Sequence, residues 1–233
     1  MNDLNVNSTN GSVSFDTYVS SVMKRVYSKM FLALLVTAAS AYVVDTTYAI
    51  QQFMYANSWC YWVLMAAELI MVISLSARIH KISTRTATLL FYGYSVLNGV
   101  TLAAILSIYT MSSVFQTFLI SAGVFGAMSV YGYTTKNDMT KFGSYLMMAL
   151  IGLLIAIVVN IFLASSQLEW IISFVGVGIF IGLTAWDTQN IKRMAAYSDS
   201  SNAGKIATIG ALSLYLDFIN MFLYLLRFFG DRE

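Results

Sequence analysis

Seven apolar segments, separated by short polar connections, dominate the chain and restrict what it can fold into. They lie near residues 29–45, 58–78, 87–109, 113–134, 142–163, 168–191 and 206–229. A helix needs about 20 mostly apolar residues to cross a bilayer, and an open strand cannot satisfy its backbone hydrogen bonds in lipid. The segments therefore predict an all-α integral membrane protein with seven transmembrane helices.

The composition excludes most other classes of protein. Only 10% of the 233 residues are charged and 58% are hydrophobic, whereas an ordinary soluble domain has roughly 25% charged residues. The net charge of +2 does not imply a nucleic-acid partner, and the single Cys60 excludes an internal disulfide and a cysteine metal cluster.

The domain organisation follows the polarity of the chain. Residues 1–14 are polar and predict a flexible tail. Apolar residues at helical spacing begin at Phe15 and predict an amphipathic interfacial helix over 15–28. Residues 29–230 form the predicted seven-helix transmembrane domain.

The basic residues predict the orientation. Eleven of the 13 Lys and Arg residues fall before span one or in alternate connections, so they lie on one side: Lys24, Arg25, Lys29, Arg78, Lys81, Arg85, Lys136, Lys141, Lys192, Arg193 and Lys205. This bias places the N-terminus in the cytoplasm. Span seven is long enough to cross fully and has no proline or central glycine to turn it, which would place Arg227 and Arg232 outside.

Three acids inside the apolar segments need an explanation, because ionisable groups at membrane depth are costly and mark functional sites. Glu68 is in the middle of span two, Asp187 is near the inner end of span six, and Asp217 is near the centre of span seven. Thr184 shares the face of Asp187. Asp217 belongs to a polar stripe at three- and four-residue steps: Gly210, Ser213, Asp217, Asn220 and Tyr224.

Two interpretations of these acids are open. Asp187 and Asp217 could meet, share a proton and titrate as a pair, with a cation able to replace the proton. Calcium suits such a site because it prefers several hard oxygen ligands. Alternatively, each acid is separately buried, protonated and hydrogen-bonded. Counting residues from the inner face places Asp217 about 10 Å deeper than Asp187, which counts against pairing.

Two stretches carry a family resemblance. Residues Gly182 to Arg193, GLTAWDTQNIKR, resemble the signature of the Bax inhibitor-1 (transmembrane Bax inhibitor motif) family. The ending from Gly210 to Gly230, GALSLYLDFINMFLYLLRFFG, is similar to the last helix of its bacterial YccA/YbhL-like branch. The resemblance implies a seven-helix fold with the C-terminal helix central in the bundle, and a bacterial inner (plasma) membrane location.

The resemblance also implies a function. Family members are expected to form a pH-sensitive calcium leak that uses an aspartate pair on the last two helices, and Asp187 and Asp217 match those positions. Arg78 corresponds by position to an arginine that closes the pair, and Glu68 to an acid that lines the path. Ser213, Asn220, Tyr224 and Thr184 would support the site. No cofactor is expected other than calcium as a permeant or bound ion.

Two functions other than a channel are alternatives. One is an interaction protein that regulates a membrane protease or a stress or cell-death pathway without conducting ions, with the polar tail as its contact. The other is an intramembrane aspartyl protease, which needs a GxGD motif and a proline-containing PAL motif. Leu214, Tyr215 and Leu216 precede Asp217, and the chain has no proline. An enzyme is therefore not expected.

Overall fold

The computed structural model describes residues 3–79 and 81–231, with side chains from residue 16 onward. Its helices are α1 (Asp3–Thr46), α2 (Tyr48–Ala56), α3 (Trp59–Arg78), α4 (Thr84–Leu106), α5 (Met111–Thr134), α6 (Thr140–Leu163), α7 (Ser166–Tyr197) and α8 (Ala203–Phe229), with a short 3₁₀ helix at Ser200–Asn202. No strand occurs in these ranges. The all-helical prediction is confirmed.

Seven helices in the described part of the chain are long and apolar enough to cross a membrane. They are α1 from Asp16, α3, α4, α5, α6, α7, and the last helix counted from Ser200. They coincide with the seven segments that hydropathy predicts. The sequence did not predict α2, which lies in the connection between the first two spans.

Helix α1 runs from Asp3 to Thr46, across the predicted tail and interfacial segment. The side chains of residues 1–15 lie outside the described part. Val22 and Val26 are fully buried in the main core, so the apolar face of this segment packs on the protein. The predicted division at residues 14 and 28 stays a prediction.

Hydroxyl side chains define where several spans begin. Ser83 Oγ accepts a hydrogen bond from the Thr86 amide at the start of α4 (3.1 Å). Thr110 does the same at α5 and Ser165 at α7. Each cap satisfies one amide that the first helical turn leaves free, and together they fix the ends of spans whose interiors are uniformly apolar.

Helix α8 occupies the centre of the bundle. In its most apolar stretch 72% of the residues are buried, against 6% in α3 and in α6. It packs against α7, α1, α5 and α4, whereas α3 contacts the bundle mainly through α4. The large apolar side chains that remain exposed on the outer helices, such as Leu89, Ile155 and Phe162, face the position of the lipid.

The two ends of α8 lie at opposite ends of the bundle. Near its start, Thr208 Oγ1 accepts a hydrogen bond from Lys29 Nζ (2.6 Å), among the basic residues. Beyond its last turn, the Asp231 amide donates to Ser113 Oγ (3.1 Å), and Asp231 O accepts from the Thr110 amide (3.0 Å). Helix α8 therefore extends through the whole bundle, and Arg227 is separated from the other described basic residues. Arg232 lies outside the described residues.

Close helix contact predicts a stability difference between two glycines of α5. A Cβ at Gly132 would collide with the Ala185 carbonyl of α7, whereas a Cβ at Gly126 would meet nothing within 4 Å. We expect Gly132→Ala to lower the free energy of unfolding by about 1–3 kcal/mol, measured by thermal unfolding in detergent. Gly126→Ala is the matched control and should melt at or above the wild-type temperature. Equal melting of the two variants would contradict the packing described.

Candidate functional site

Two close contacts set the register of α7 against α8. A Cβ on Gly210 would lie 3.0 Å from the Ile191 side chain, and a Cβ on Gly176 would lie 2.8 Å from the Tyr224 ring. The helices are antiparallel, so seven residues along α8 from Gly210 correspond to seven residues back along α7 from Ile191. Asp217 is therefore level with Thr184.

The same register brings the two aspartates within reach. Asp187 is level with residue 214, so the two carboxyl-bearing residues differ by three residues, or about 5 Å along the helix axis. The estimate of about 10 Å from the sequence was too large. It assumed that span six ends at 191 and span seven begins at 206, whereas α7 continues to Tyr197 and α8 begins at Ala203.

The carboxyl groups of Asp187 and Asp217 interact directly across the contact between α7 and α8. Asp217 is only 4% exposed, and its Oδ2 is buried without a donor among the described residues. Two carboxyls in contact in a low-dielectric interior cannot both ionise cheaply. The pair therefore needs a proton between its oxygens, or a cation.

Three helices of the core each carry one buried side-chain oxygen without a partner among the described residues. Within the described residues, Ser129 Oγ on α5, Thr188 Oγ1 on α7 and Asp217 Oδ2 on α8 are the buried side-chain atoms without a hydrogen-bond partner. Such atoms are uncommon in native cores. No group of three or more His, Cys, Asp or Glu side chains converges in the described chain, so a cation here would also need hydroxyl, carbonyl or water ligands.

The predicted polar stripe faces α7 but does not bond to the acids. Thr184 Oγ1 donates to the Phe180 carbonyl (2.8 Å), and Asn220 Nδ2 donates to the Leu216 carbonyl (2.8 Å), each within its own helix. Ser213 is half-buried. Tyr224 stacks on Phe180 with ring centroids 5.9 Å apart. The stripe gives α8 a face that fits α7.

Arg78 and Glu68 lie apart from the aspartate pair. Arg78 is exposed in the last turn of α3, and no ion pair joins it to an aspartate among the described residues. Glu68, half-buried on the same helix, accepts from Thr101 Oγ1 (2.6 Å). The four predicted residues thus form no single cluster, because α3 packs mainly on α4 and does not reach the α7–α8 contact.

Glu68 belongs instead to a buried network that the sequence did not reveal. Asn98 also interacts with its carboxyl. Asn98 Oδ1 accepts from the Tyr215 hydroxyl (2.9 Å), and that hydroxyl contacts Thr37 Oγ1 (2.6 Å). The network links α3, α4, α8 and α1. Tyr215 is fully buried, and a tyrosine hydroxyl inside an apolar span needs a hydrogen-bond partner. This requirement was the one signal in the sequence that pointed to the network.

Side chains following Asp187 hold the connection between α5 and α6. Gln189 Oε1 accepts from the Met139 amide (2.9 Å) and its Nε2 donates to the Asn137 carbonyl (2.8 Å). Lys192 Nζ donates to the Tyr133 carbonyl (2.8 Å). We call residues 135–139 the clamped loop. The α7 residues that hold this loop follow Asp187 closely in sequence.

One ion pair reinforces the clamped loop. It is the only ion pair among the described residues. Arg193 Nη1 lies 2.9 Å from Asp138 Oδ1 at the surface. Hydrogen bonds from the Thr140 hydroxyl and amide, and then the nearby Arg193 charge, hold the pKa of Asp138 below its usual range. The contribution of this pair is therefore present at neutral pH and is lost only as the pH falls through that lowered pKa.

Known proteins are similar to this chain over nearly its whole length. A family model described as "Inhibitor of apoptosis-promoting Bax1" matches residues 19–233. The chain belongs to the Bax inhibitor family. The inner membrane protein YbhL of Escherichia coli (strain K12) is 47% identical over 214 residues, which cover 91% of this chain and 92% of YbhL.

Two other bacterial relatives of this Bax inhibitor family member are similar over comparable lengths. An uncharacterized protein of Borreliella burgdorferi is 46% identical over 213 residues, with 91% of this chain and 92% of the relative covered. An uncharacterized protein of Rickettsia prowazekii is 41% identical over 226 residues, with 97% and 95% covered. The family resemblance carried by the two sequence stretches is confirmed.

The clamp makes a measurable prediction for this family member. Gln189→Ala removes two hydrogen bonds to the clamped loop, each worth about 0.5–1.5 kcal/mol. We expect trypsin to cleave at Lys136 about tenfold faster in detergent, as followed by peptide mass spectrometry. Gln167→Ala, at an exposed position at the other end of α7, is the control. Unchanged cleavage in Gln189→Ala would mean that the amide does not hold the loop.

Proposed function

We propose that this chain is a pH-sensitive leak channel for calcium and other cations, gated by Asp187 and Asp217. The observation that carries the proposal is the buried contact between the two carboxyl groups on α7 and α8. No cation from the described residues neutralises the pair, so a proton or a permeant ion must. The coarser conclusion, a membrane protein of the Bax inhibitor family, does not depend on this proposal.

Protonation gives the pair two states. When one proton lies between the carboxyls, it holds α7 and α8 together, and Asp217 is sealed from water at 4% exposure. When that proton leaves at higher pH, two negative charges in contact repel each other across a poorly screened interior. The contact between α7 and α8 weakens, and a cation can enter in place of the proton. Conduction therefore rises with pH.

The available oxygen atoms favour calcium as the ion. Calcium takes six to eight hard oxygen ligands in flexible geometry and accepts carboxylates, carbonyls and waters together. The pair supplies two carboxylates, and the unpartnered hydroxyl of Thr188 belongs to the residue that follows Asp187 on α7. Calcium would be a permeant or transiently bound ion in this site.

Glu68 supplies a second acidic position for the proposed path. Its network with Asn98 and Tyr215 reaches α8 only two residues from Asp217, on the side of α8 that packs against α4 and α1. Because Asp217 faces α7 instead, the place of Glu68 on an ion path stays a prediction. The proposal assigns Arg78 no contact with the closed pair, so its suggested closing role stays a prediction.

Location and partners are also proposed. We place the chain in a bacterial inner membrane with the N-terminus in the cytoplasm, supported by the YbhL relative and by the positive-inside distribution of Lys and Arg. Regulation of a membrane protease through the N-terminal tail stays a prediction, because the side chains of residues 1–15 lie outside the described part.

Calcium flux into proteoliposomes tests the channel. Wild-type flux should rise as the buffer changes from mildly acidic to mildly basic, and it should fall about tenfold when the pair is protonated. In Asp187→Asn and Asp217→Asn the rate should no longer depend on pH, because neither variant can place two charges in contact. A fluorescent calcium indicator inside the vesicles gives the rate.

Asp199→Asn is the matched control for this experiment. Asp199 is an exposed acid in the connection between α7 and α8, so its loss changes the net charge equally and should leave the pH profile unchanged. The channel proposal is rejected if Asp187→Asn and Asp217→Asn both retain the wild-type flux and pH profile. It is also rejected if the folded wild-type protein conducts no cation at any pH.

Reporter fusions test the proposed orientation. Alkaline phosphatase fused after Asp231 should be active, because that end of α8 lies beside Thr110, opposite the basic residues. A fusion placed in the clamped loop should be inactive, because that loop lies at the basic end. Activity of the loop fusion, with an inactive C-terminal fusion, would reverse the orientation.

A further inference from the structure

We propose that a cavity between the clamped loop and the end of α7 binds the phosphate group of a ligand. We call it the α7–loop cavity. It lies at the basic end of the bundle, has a volume of about 390 Å³ and opens to solvent. Ligand pockets in proteins usually measure about 300–1,000 Å³. The cavity therefore has room for a phosphate and for part of the molecule that carries it.

Three parts of the chain form the walls of the α7–loop cavity. The last turn of α5, the clamped loop and the α7 residues from Gln189 to Tyr197 all contribute to its lining. Gln189 and Arg193 hold the loop against α7 at this place. The shape of the cavity is therefore fixed by tertiary contacts, and it differs from a row of basic residues on the surface of one helix.

Positive charge dominates the lining of the α7–loop cavity. The lining contains three basic side chains, Lys136, Lys192 and Arg193, and one acidic side chain, Asp138. Arg193 Nη1 lies 2.9 Å from Asp138 Oδ1, so this ion pair neutralises the one negative charge. The two lysines have no acidic partner among the described residues. The net charge of the lining therefore favours an anion.

The basic side chains also retain hydrogen-bond donors. The Lys192 ammonium carries three N–H donors and uses one of them on the Tyr133 carbonyl (2.8 Å). The Arg193 guanidinium carries five N–H donors, and both of its hydrogen bonds to described residues come from Nη1. Lys136 is exposed and has no ion-pair partner in the described part of the chain. A phosphate offers acceptor oxygens in several directions, so it can accept from all three side chains together.

An apolar part of the lining suits the carbon skeleton of the ligand. Ala196 and Tyr197 belong to the lining, and Tyr197 is 88% exposed at the last position of α7. An aromatic ring beside a basic cavity provides apolar contact area next to the phosphate. This combination fits a phosphate ester. The ester is a soluble molecule or the headgroup of an anionic lipid, because the cavity lies at one end of the membrane-spanning helices.

Inorganic pyrophosphate tests the soluble source with the full chain in detergent. We expect saturable binding in isothermal titration calorimetry, and much weaker binding of malonate at the same ionic strength. Lys136→Gln should weaken pyrophosphate binding about tenfold in protein that melts like the wild type. Lys81→Gln is the matched control, because it removes an exposed lysine at the same end of the bundle but outside the cavity. It should keep the wild-type affinity.

Phosphatidic acid tests the lipid source. Native mass spectrometry of the full chain should show one phosphatidic acid retained at activation energies that remove phosphatidylcholine of identical chains. Lys136→Gln should weaken this retention about tenfold, and Lys81→Gln should not. Lys136-dependent binding of pyrophosphate alone assigns the site to a soluble phosphate ester, and that of phosphatidic acid alone assigns it to a lipid headgroup. Binding of both assigns it to the phosphate group.

Limited trypsin digestion of the wild type tests the position of the ligand. A phosphate that bonds to Lys136 on the loop and to Lys192 and Arg193 on α7 joins the two segments, so it opposes the local opening that cleavage requires. Saturating ligand should slow cleavage after Lys136 severalfold, as followed by peptide mass spectrometry. Cleavage after Lys81 in the same digest should keep its rate.

Four results would overturn the proposal. One is that neither pyrophosphate nor phosphatidic acid binds the folded protein. Equal weakening of binding in Lys136→Gln and Lys81→Gln would show general attraction to a positive surface. Equal binding of malonate and pyrophosphate would show a site for any anion. Binding that leaves cleavage after Lys136 unchanged would place the phosphate elsewhere on the protein.

Discussion

A carboxyl group at membrane depth has no water to solvate it, so its position depends on what the protein places beside it. In this chain the partner of Asp217 is the carboxyl of Asp187, and that contact requires α7 and α8 to be adjacent, antiparallel and in one register. The glycines at positions 176 and 210 permit that register, because a side chain at either would collide with the facing helix. The central position of α8 follows from the same requirement.

Helix α8 carries polar groups on two faces, and each face binds different neighbours. Asp217 faces α7, whereas the Tyr215 hydroxyl lies between Thr37 of α1 and Asn98 of α4. A helix with polar groups on both faces must be surrounded by protein, because either face would be costly in lipid. This accounts for the high burial of α8, in contrast to α3 and α6, in which few residues are buried against protein.

The sequence predicted what hydropathy and charge determine. The seven spans, the central last helix and the crossing of span seven all agree with the structure, since each depends on segment length, polarity or family resemblance. Residue counting placed Asp217 too deep relative to Asp187. The helices extend into polar segments, and hydropathy does not indicate a helix there. The family resemblance groups Glu68 and Arg78 with the aspartates by helix and position, and only tertiary packing shows that α3 packs on α4 and not on the contact between α7 and α8. The roles of Gln189 and Tyr215 were missed because their partners are distant in sequence.

The attachments of α8 have a mechanical consequence. Lys29 holds its first turns through Thr208, and Asp231 holds its far end to Thr110 and Ser113. A translation of α8 along the membrane normal would break hydrogen bonds at both ends at once. Helix α7 is attached differently, because Gln189 and Arg193 bind the clamped loop, whereas Lys192 binds the Tyr133 carbonyl in the last turn of α5. A displacement of α7 that separates the two carboxyls therefore has to break the Lys192 bond to α5 and either carry the clamped loop with it or release it.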